Sequence, residues 1–253
     1  MNKVYFVGAG PGATDLITLR GKSLLENADV IIYAGSLVNP ELLDFAKAGC
    51  EILNSAVMTL DEVIETVKSA VACNRAVVRL HTGDPCIYGA IREQMDRLSE
   101  LGIEYEICPG VSSFCAAAAS LKAEYTLPGV SQTVILTRAE GRTSVPQRES
   151  VRALAGHGAT MVLFLSAGLL EAVSRDLIEG GYAPDTPAAI VYKASWPDEK
   201  IVRCTLAELA QSAAINNITK TTLICVGSFL EGAYELSRLY SPDFSTEYRE
   251  AKR

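Results

Sequence analysis

Along this chain, short apolar runs rich in β-branched and aromatic residues alternate with longer stretches in which apolar residues return every three or four positions. The runs predict strands at 3–8, 30–34, 51–53, 76–81 and 105–108, and the periodic stretches predict helices at 18–27, 40–47, 60–72, 90–101 and 114–121. Thr59 and Glu62 stand at capping-box spacing at the head of the 60–72 helix. Repeated strand–helix units of this kind imply a mainly parallel sheet covered by helices on both faces. Leu127-Pro128-Gly129 punctuates the pattern. A domain break is expected there, giving an N-terminal α/β domain at 1–127 and a C-terminal one at 130–235. The second half continues with strands at 133–137, 161–166, 188–192, 201–205 and 222–226 and helices at 169–179 and 206–215. Two strands in succession between 188 and 205 predict an antiparallel hairpin in a mixed sheet. Past Tyr234 the chain turns polar, and 236–253 reads as a tail, poorly ordered from 241 onward.

The stretch of greatest chemical interest is Val77 to Gly89, VVRLHTGDPCIYG. It reads as a buried strand emptying into a tight loop. Gly83 permits close backbone approach, Asp84 accepts hydrogen bonds and Pro85 fixes the exit. Open α/β sheets bind ligands in such loops. Earlier, Gly8-Ala9-Gly10-Pro11-Gly12-Ala13 follows the first strand and formally satisfies G-x-G-x-x-A. Two features speak against a dinucleotide fingerprint: Pro11 removes an N–H from the turn, and the second strand ends in Tyr33-Ala34 without an acid for a ribose. Pro109-Gly110-Val111-Ser112-Ser113 then leads into an alanine-rich helix, whose small side chains allow either close packing or close approach of a ligand.

Composition narrows the function classes. With 253 residues and 49% hydrophobic content the chain can bury a sizeable core. The net charge of −7 argues against a general nucleic-acid surface, yet a local group of arginines could still hold an acidic small molecule. No apolar run approaches the roughly 18–20 residues needed to cross a bilayer, and Met1-Asn2-Lys3 leads directly into a strand, so the expected compartment is the cytoplasm, with neither membrane nor nucleic acid as partner. Seven cysteines without C-x-x-C or paired histidine spacing read as buried thiols such as Cys86, Cys108, Cys115 and Cys225, with no metal site.

Taken in order, VGAGPGATDLITLRG (Val7 to Gly21), VVRLHTGDPCIYG and EICPGVSS (Glu106 to Ser113) resemble the tetrapyrrole methylase family, across nearly the whole chain. ILTRAEGRTSVP (Ile135 to Pro146) and VYKASWPDEKIVR (Val191 to Arg203) resemble the branch that methylates carbon 11 of precorrin-4 or cobalt-precorrin-4 in cobalamin synthesis. The resemblance implies an α/β fold of two αβα domains with mixed, mostly parallel sheets and a cleft between them for S-adenosylmethionine, which leaves as S-adenosylhomocysteine. It also implies a homodimer. Carried over by position, it places the cofactor against Pro11, Thr82, Gly83, Asp84 and Ile87, with Ser112 and Ser113 flanking the adenosine. From the second domain, Leu165 stands where many relatives carry Met and Ala194 where they carry Gly.

A sulfonium methyl is already electrophilic and the reduced macrocycle is enamine-like, so alignment can supply up to about 7–11 kcal/mol without a dedicated nucleophile. A base for the alkylated product would come from His81, Asp84 or Tyr88. Arg138, Arg142 and Lys193 are the candidates for the substrate's carboxylates, with Arg79 and Lys200 behind them. The competing readings are methylation at another corrin-precursor position, a non-catalytic tetrapyrrole-binding protein, and a dinucleotide oxidoreductase.

Overall fold

The protein is described by a computed structural model over residues 3–251. The chain forms two compact units, the first comprising Met1–Ser120 with Lys193–Lys200 and the second Leu121–Tyr192 with Ile201–Arg253.

In the first unit the strands are β1 (Val4–Gly8), β2 (Val30–Tyr33), β3 (Glu51–Asn54), β4 (Val77–His81) and β5 (Tyr105–Cys108), and the helices are α1 (Leu19–Asn27), α2 (Leu60–Ala72), α3 (Arg92–Glu100) and α4 (Ser113–Leu121). The strand order is β3-β2-β4-β1-β5 and every ladder is parallel. Central strands covered on both faces must be apolar throughout, and all five residues of β4 are buried. Val4, Phe6, Val30, Ile32 and Val77 pack on one face against α2 and α3 through Val63, Ile64, Val67 and Leu98. Val7, Ile31, Val78 and Leu80 pack on the other against Leu25 of α1 and Leu42. The chain therefore leaves β1 toward one face and β4 toward the opposite face. Adjacent strands whose exits diverge in this way open a crevice at their carboxyl ends.

The predicted strand at 105–108 and helix at 60–72 are found at those bounds, the latter with its capping box closed: Glu62 N donates to Thr59 Oγ1 at 3.3 Å, and Thr59 N donates to Glu62 Oε2 at 2.6 Å. The predicted helix at 40–47 is instead a 3-10 segment, Pro40–Phe45. Asn39 caps it through Glu41 N, and the bonds from Leu42 N to Asn39 O and from Ala46 N to Leu43 O span three residues each, which winds the segment as a 3-10 turn. The helix predicted from 90 starts at Arg92, because Tyr88 and Ala90 take left-handed backbone conformations.

The second unit holds β6 (Val134–Arg138), β7 (Thr160–Phe164), β8 (Pro187–Tyr192), β9 (Lys200–Thr205) and β10 (Thr222–Val226), with α5 (Val151–Ala155), α6 (Leu170–Gly180) and α7 (Leu209–Ile215). The order is β6-β7-β10-β8-β9. β6 and β7 are parallel, whereas β10 runs antiparallel to both of its neighbours, so the sheet is mixed. Met161, Leu163, Ile190 and Ile224 meet Val173, Leu177 and Leu209 in its core. Pro128 and Gly129, expected to mark the boundary, lie inside this unit, where Glu235 N donates to Pro128 O at 3.0 Å. The tail expected to be poorly ordered carries local structure up to 251: Arg249 donates to the carbonyls of Leu239, Ser241 and Phe244. Residues 252 and 253 lie outside the described residues.

The cysteines depart from expectation. All seven are free, but only Cys108 and Cys225 are buried, while Cys73, Cys86 and Cys115 are exposed. Cys86 follows the Asp84-Pro85 turn on its outer side, and Cys115 lies on the outer face of α4, with Ala116 and Ala117 turned inward. Native protein should therefore give three thiols to a bulky disulfide reagent and all seven only after denaturation. A native count below three would mean that these side chains are covered in solution.

Candidate functional site

Three loops converge at the carboxyl ends of β1, β4 and β5, and they meet backbone to backbone. Gly10 and Gly83 exchange hydrogen bonds, Gly83 N to Gly10 O at 2.8 Å and Gly10 N to Gly83 O at 3.2 Å, and Ala9 N donates to His81 O at 2.7 Å. A Cβ at Gly8 would lie 2.5 Å from Gly110 Cα, and one at Gly110 would lie 2.1 Å from Gly83 O. No side chain fits at either position. At Gly83 the constraint is different: φ is +59°, while a Cβ would meet only ordinary contacts with Ser112 Cα and Ser113 N at 3.5 and 3.4 Å. Asp84 staples the arrangement, its Oδ2 accepting Gly110 N at 2.9 Å and its Oδ1 accepting Cys86 N at 2.8 Å. Pro11, Thr82, Gly83, Asp84, Ile87, Ser112 and Ser113 are thereby brought to one crevice.

The first loop is gripped along its length. Trp196 Nε1 donates to Pro11 O at 2.9 Å, Asn39 Nδ2 donates to Gly12 O at 2.9 Å, and Ala13 N donates to Ser195 Oγ at 3.0 Å. The N–H groups of Ala9, Gly10 and Ala13 are therefore all committed within the protein, and Pro11 has none. Few N–H groups of the turn are left for a pyrophosphate, which counts against the dinucleotide reading. What these contacts build is a loop junction edged by backbone and short side chains.

Lys193 and Ala194 belong to the 193–200 segment that supplies Trp196 and Ser195. Lys193 is engaged: its Nζ lies 2.6 Å from Asp198 Oδ2 and 4.9 Å from the centre of the Trp196 ring. The ammonium holds the Asp198 carboxyl below its ordinary range. Ala194 is buried between the left-handed Lys193 and Ser195. None of Trp196, Ser195, Asn39 and Gly110 was among the expected site residues. The one available signal was Trp196, the chain's sole tryptophan, in an otherwise polar segment.

The candidate bases differ sharply. His81 is buried, its ring centre 6.0 Å from that of Phe6, and its Nε2 has no hydrogen-bond partner. Burial, reinforced by the nearby Arg79 charge, pushes its pKa down to about 3, too low for an effective base near neutrality. Both Asp84 oxygens are occupied by backbone N–H groups. Tyr88 stands apart: it is 45% exposed, at a left-handed φ of 56°. Arg79 is also withdrawn from substrate duty, since it is buried and donates to Gln94 Oε1 at 2.8 Å and Ile32 O at 2.7 Å.

In the second unit Arg138 ends β6, one residue further along the strand than expected, and its guanidinium donates to the carbonyls of Ala139, Thr143 and Ser144, shaping the loop that carries Arg142. Arg142 is exposed. Leu165, directly after β7, is 65% exposed at φ 52°. Buried Ser166 holds it there, its Oγ donating to Phe164 O at 2.7 Å and accepting Ala139 N at 2.8 Å.

A family model of tetrapyrrole (corrin/porphyrin) methylases matches residues 3–210. The chain is 56% identical, over 98% of its length and 96% of the relative's, to the cobalt-precorrin-4 C(11)-methyltransferase of Methanocaldococcus jannaschii. It is similar to the solved structure of a cobalt precorrin-4 methyltransferase described as a cobalamin biosynthetic enzyme, with a TM-score of 0.89 and 49% identity covering 91% of this chain and 96% of the other. It is also similar to uroporphyrin-III C-methyltransferase of Thermus thermophilus in complex with S-adenosylhomocysteine, with a TM-score of 0.74 and 26% identity covering 91% and 94%.

Burial of neutral His81 has a consequence for stability. Its folded pKa, about 3, lies below the ordinary 6.5, so between those values the unfolded chain binds the extra proton. Its contribution is full above pH 6.5 and is lost as pH falls toward 3, at up to about 1.4 kcal/mol per pH unit. Chemical denaturation of wild type and His81→Phe between pH 7 and 4 should show a flatter profile for the variant. Parallel profiles would mean that His81 takes up its proton equally in the folded and the unfolded chain.

Proposed function

The chain belongs to the tetrapyrrole (corrin/porphyrin) methylase family, and we propose that it transfers the methyl group of S-adenosylmethionine to carbon 11 of precorrin-4 or its cobalt form. The observation that carries this reading is the convergence of three separate sequence stretches, around Gly10, Gly83 and Gly110, on one crevice closed by backbone contacts. S-adenosylmethionine supplies a methyl group on a sulfonium, ready for displacement by a nucleophilic ring carbon. The protein's task is to hold and aim. Gly83, Ser112 and Ser113 edge the adenosine site, Asp84 fixes the two loops that form it, and Thr82, Ile87, Pro11 and Ala194 complete the cofactor set. Rigid placement of two reactants is worth several kcal/mol, and a loop locked by reciprocal backbone bonds supplies such rigidity.

Of the three candidates for removing the proton, His81 is buried, both Asp84 oxygens accept backbone N–H groups, and a phenol such as Tyr88 is a poor proton acceptor near neutrality, so the reading leaves that proton to solvent. For the substrate's carboxylates it favours Arg142, with Arg138 as the residue that shapes its loop. The same reading has the protein act as a homodimer in the cytoplasm. The exposed Tyr234, Leu236, Leu239, Tyr240 and Tyr248 of the C-terminal segment offer apolar area to a second copy.

The direct test is methyl transfer to metal-free and cobalt-loaded precorrin-4, with the new methyl located on the product; methylation at any other carbon would overturn the assignment. Gly83→Val should abolish S-adenosylhomocysteine binding in calorimetry, because a β-branched residue cannot hold φ +59° without strain. Arg142→Ala should raise the KM for the tetrapyrrole by up to about tenfold, a hydrogen bond to charge discounted for solvent exposure, with cofactor affinity kept. Loss of cofactor affinity with an unchanged tetrapyrrole KM would remove Arg142 from the substrate site.

A further inference from the structure

We infer that Trp196 is a positioning residue that fixes the Pro11–Ala13 turn and, through it, the Gly10–Gly83 pair that forms the cofactor crevice. The inference rests on the cofactor reading of that crevice.

Gly12 carries the argument. Its φ lies outside the left-handed region, so its backbone does not call for glycine, yet a Cβ there would lie 2.0 Å from Trp196 Cδ1 and 2.1 Å from Nε1. The absence of a side chain at Gly12 therefore answers to the indole. The same ring donates Nε1–H to Pro11 O at 2.9 Å, and the residue before it, Ser195, takes the Ala13 N–H at 3.0 Å. Three consecutive residues of the turn are thus read by one dipeptide. The turn joins directly to Gly10, whose N–H and carbonyl are both paired with Gly83. A shift of the turn must be passed on to the Gly83 backbone.

The segment that presents Trp196 is built to hold still. Lys193 and Ser195 sit at φ 48° and 69°, conformations that cost energy for residues with side chains and persist where surrounding contacts over-determine them. Those contacts are present: Glu199 Oε2 accepts Ser195 N and Ser120 Oγ, each at 2.6 Å, and Lys193 bridges Asp198 and the indole face. Such a strained and tightly tied loop exceeds what a connection between two strands requires.

The test uses the full chain and S-adenosylhomocysteine as the probe. Trp196→Phe keeps a ring but loses the donor to Pro11, and it should raise the calorimetric Kd about fivefold at unchanged stoichiometry, the equivalent of one hydrogen bond. A merely structural indole would instead lower the melting temperature and the fraction of binding-competent protein, leaving Kd at its wild-type value. Gly12→Ala should displace the ring, red-shifting the emission of the chain's single tryptophan without any ligand, and should weaken binding more than tenfold. Added to Trp196→Ala, Gly12→Ala should cost almost nothing further, because the clash is gone. An unaltered Kd in Trp196→Phe, or an equal Gly12→Ala penalty in both backgrounds, would overturn the inference while leaving the proposed function standing. Failure of the wild type to bind the probe would overturn both.

Discussion

Everything at the crevice depends on backbone meeting backbone. Gly8, Gly83 and Gly110 approach so closely that the loops after β1, β4 and β5 pack without side chains between them, at distances that a Cβ would violate at two of the three positions. Because the contact is made mainly of peptide groups, it is short and directional: Gly10 pairs with Gly83 and Ala9 with His81, and the Asp84 carboxylate adds a side-chain staple to Gly110 N. A crevice assembled this way has few rotamers to order, so a ligand seated in it pays little entropy for the protein's part.

The polar residues of β4 show the cost of building that crevice on a fully buried strand. Arg79 lies within the apolar face formed by Phe6, Ile32 and α3, and among the described residues no carboxylate pairs with it. Burial lowers its pKa to about 10, which still leaves it charged at neutrality, with Gln94 and the Ile32 carbonyl satisfying two of its donors. Gln94 is itself anchored to Ala90 O at 3.0 Å, at the end of the loop that begins with Gly83. The guanidinium thus braces the far end of the TGDP loop from beneath. Its charge also contributes to keeping His81 neutral. Two residues that look like chemistry in the sequence act here as structure.

A similar exchange of roles runs through the charged candidates. Asp84 is consumed by two N–H groups, Lys193 by Asp198 and the indole, and Arg138 by three carbonyls of its own loop. Of the exposed candidates Tyr88, Arg142 and Leu165, the last two lie beside braced residues, Arg138 and Ser166. Two of them, Tyr88 and Leu165, stand at positive φ.

Local patterns determined the elements. The capping box at Thr59 and Glu62, the apolar run at Val77–Leu80 and the Gly-Asp-Pro turn are short-range signals, and the α/β class with its parallel first sheet was legible from them, as was the family from three motif stretches. The 3-10 segment at Pro40–Phe45 and the delayed start of α3 were not, because each depends on backbone conformations fixed by neighbours. Sequence also located the crevice loops, since glycine and proline record backbone demands directly. It did not reveal which side chains were free to act. Whether Asp84, His81 or Arg138 offers an unoccupied polar atom depends on what faces it across the fold, and the facing groups, Gly110 N, Phe6 and the 139–144 carbonyls, are brought near only by tertiary packing. For the same reason Trp196, 184 positions beyond Gly12 in the chain, could be recognised as its partner only once the indole was seen to fill the space of the missing Cβ.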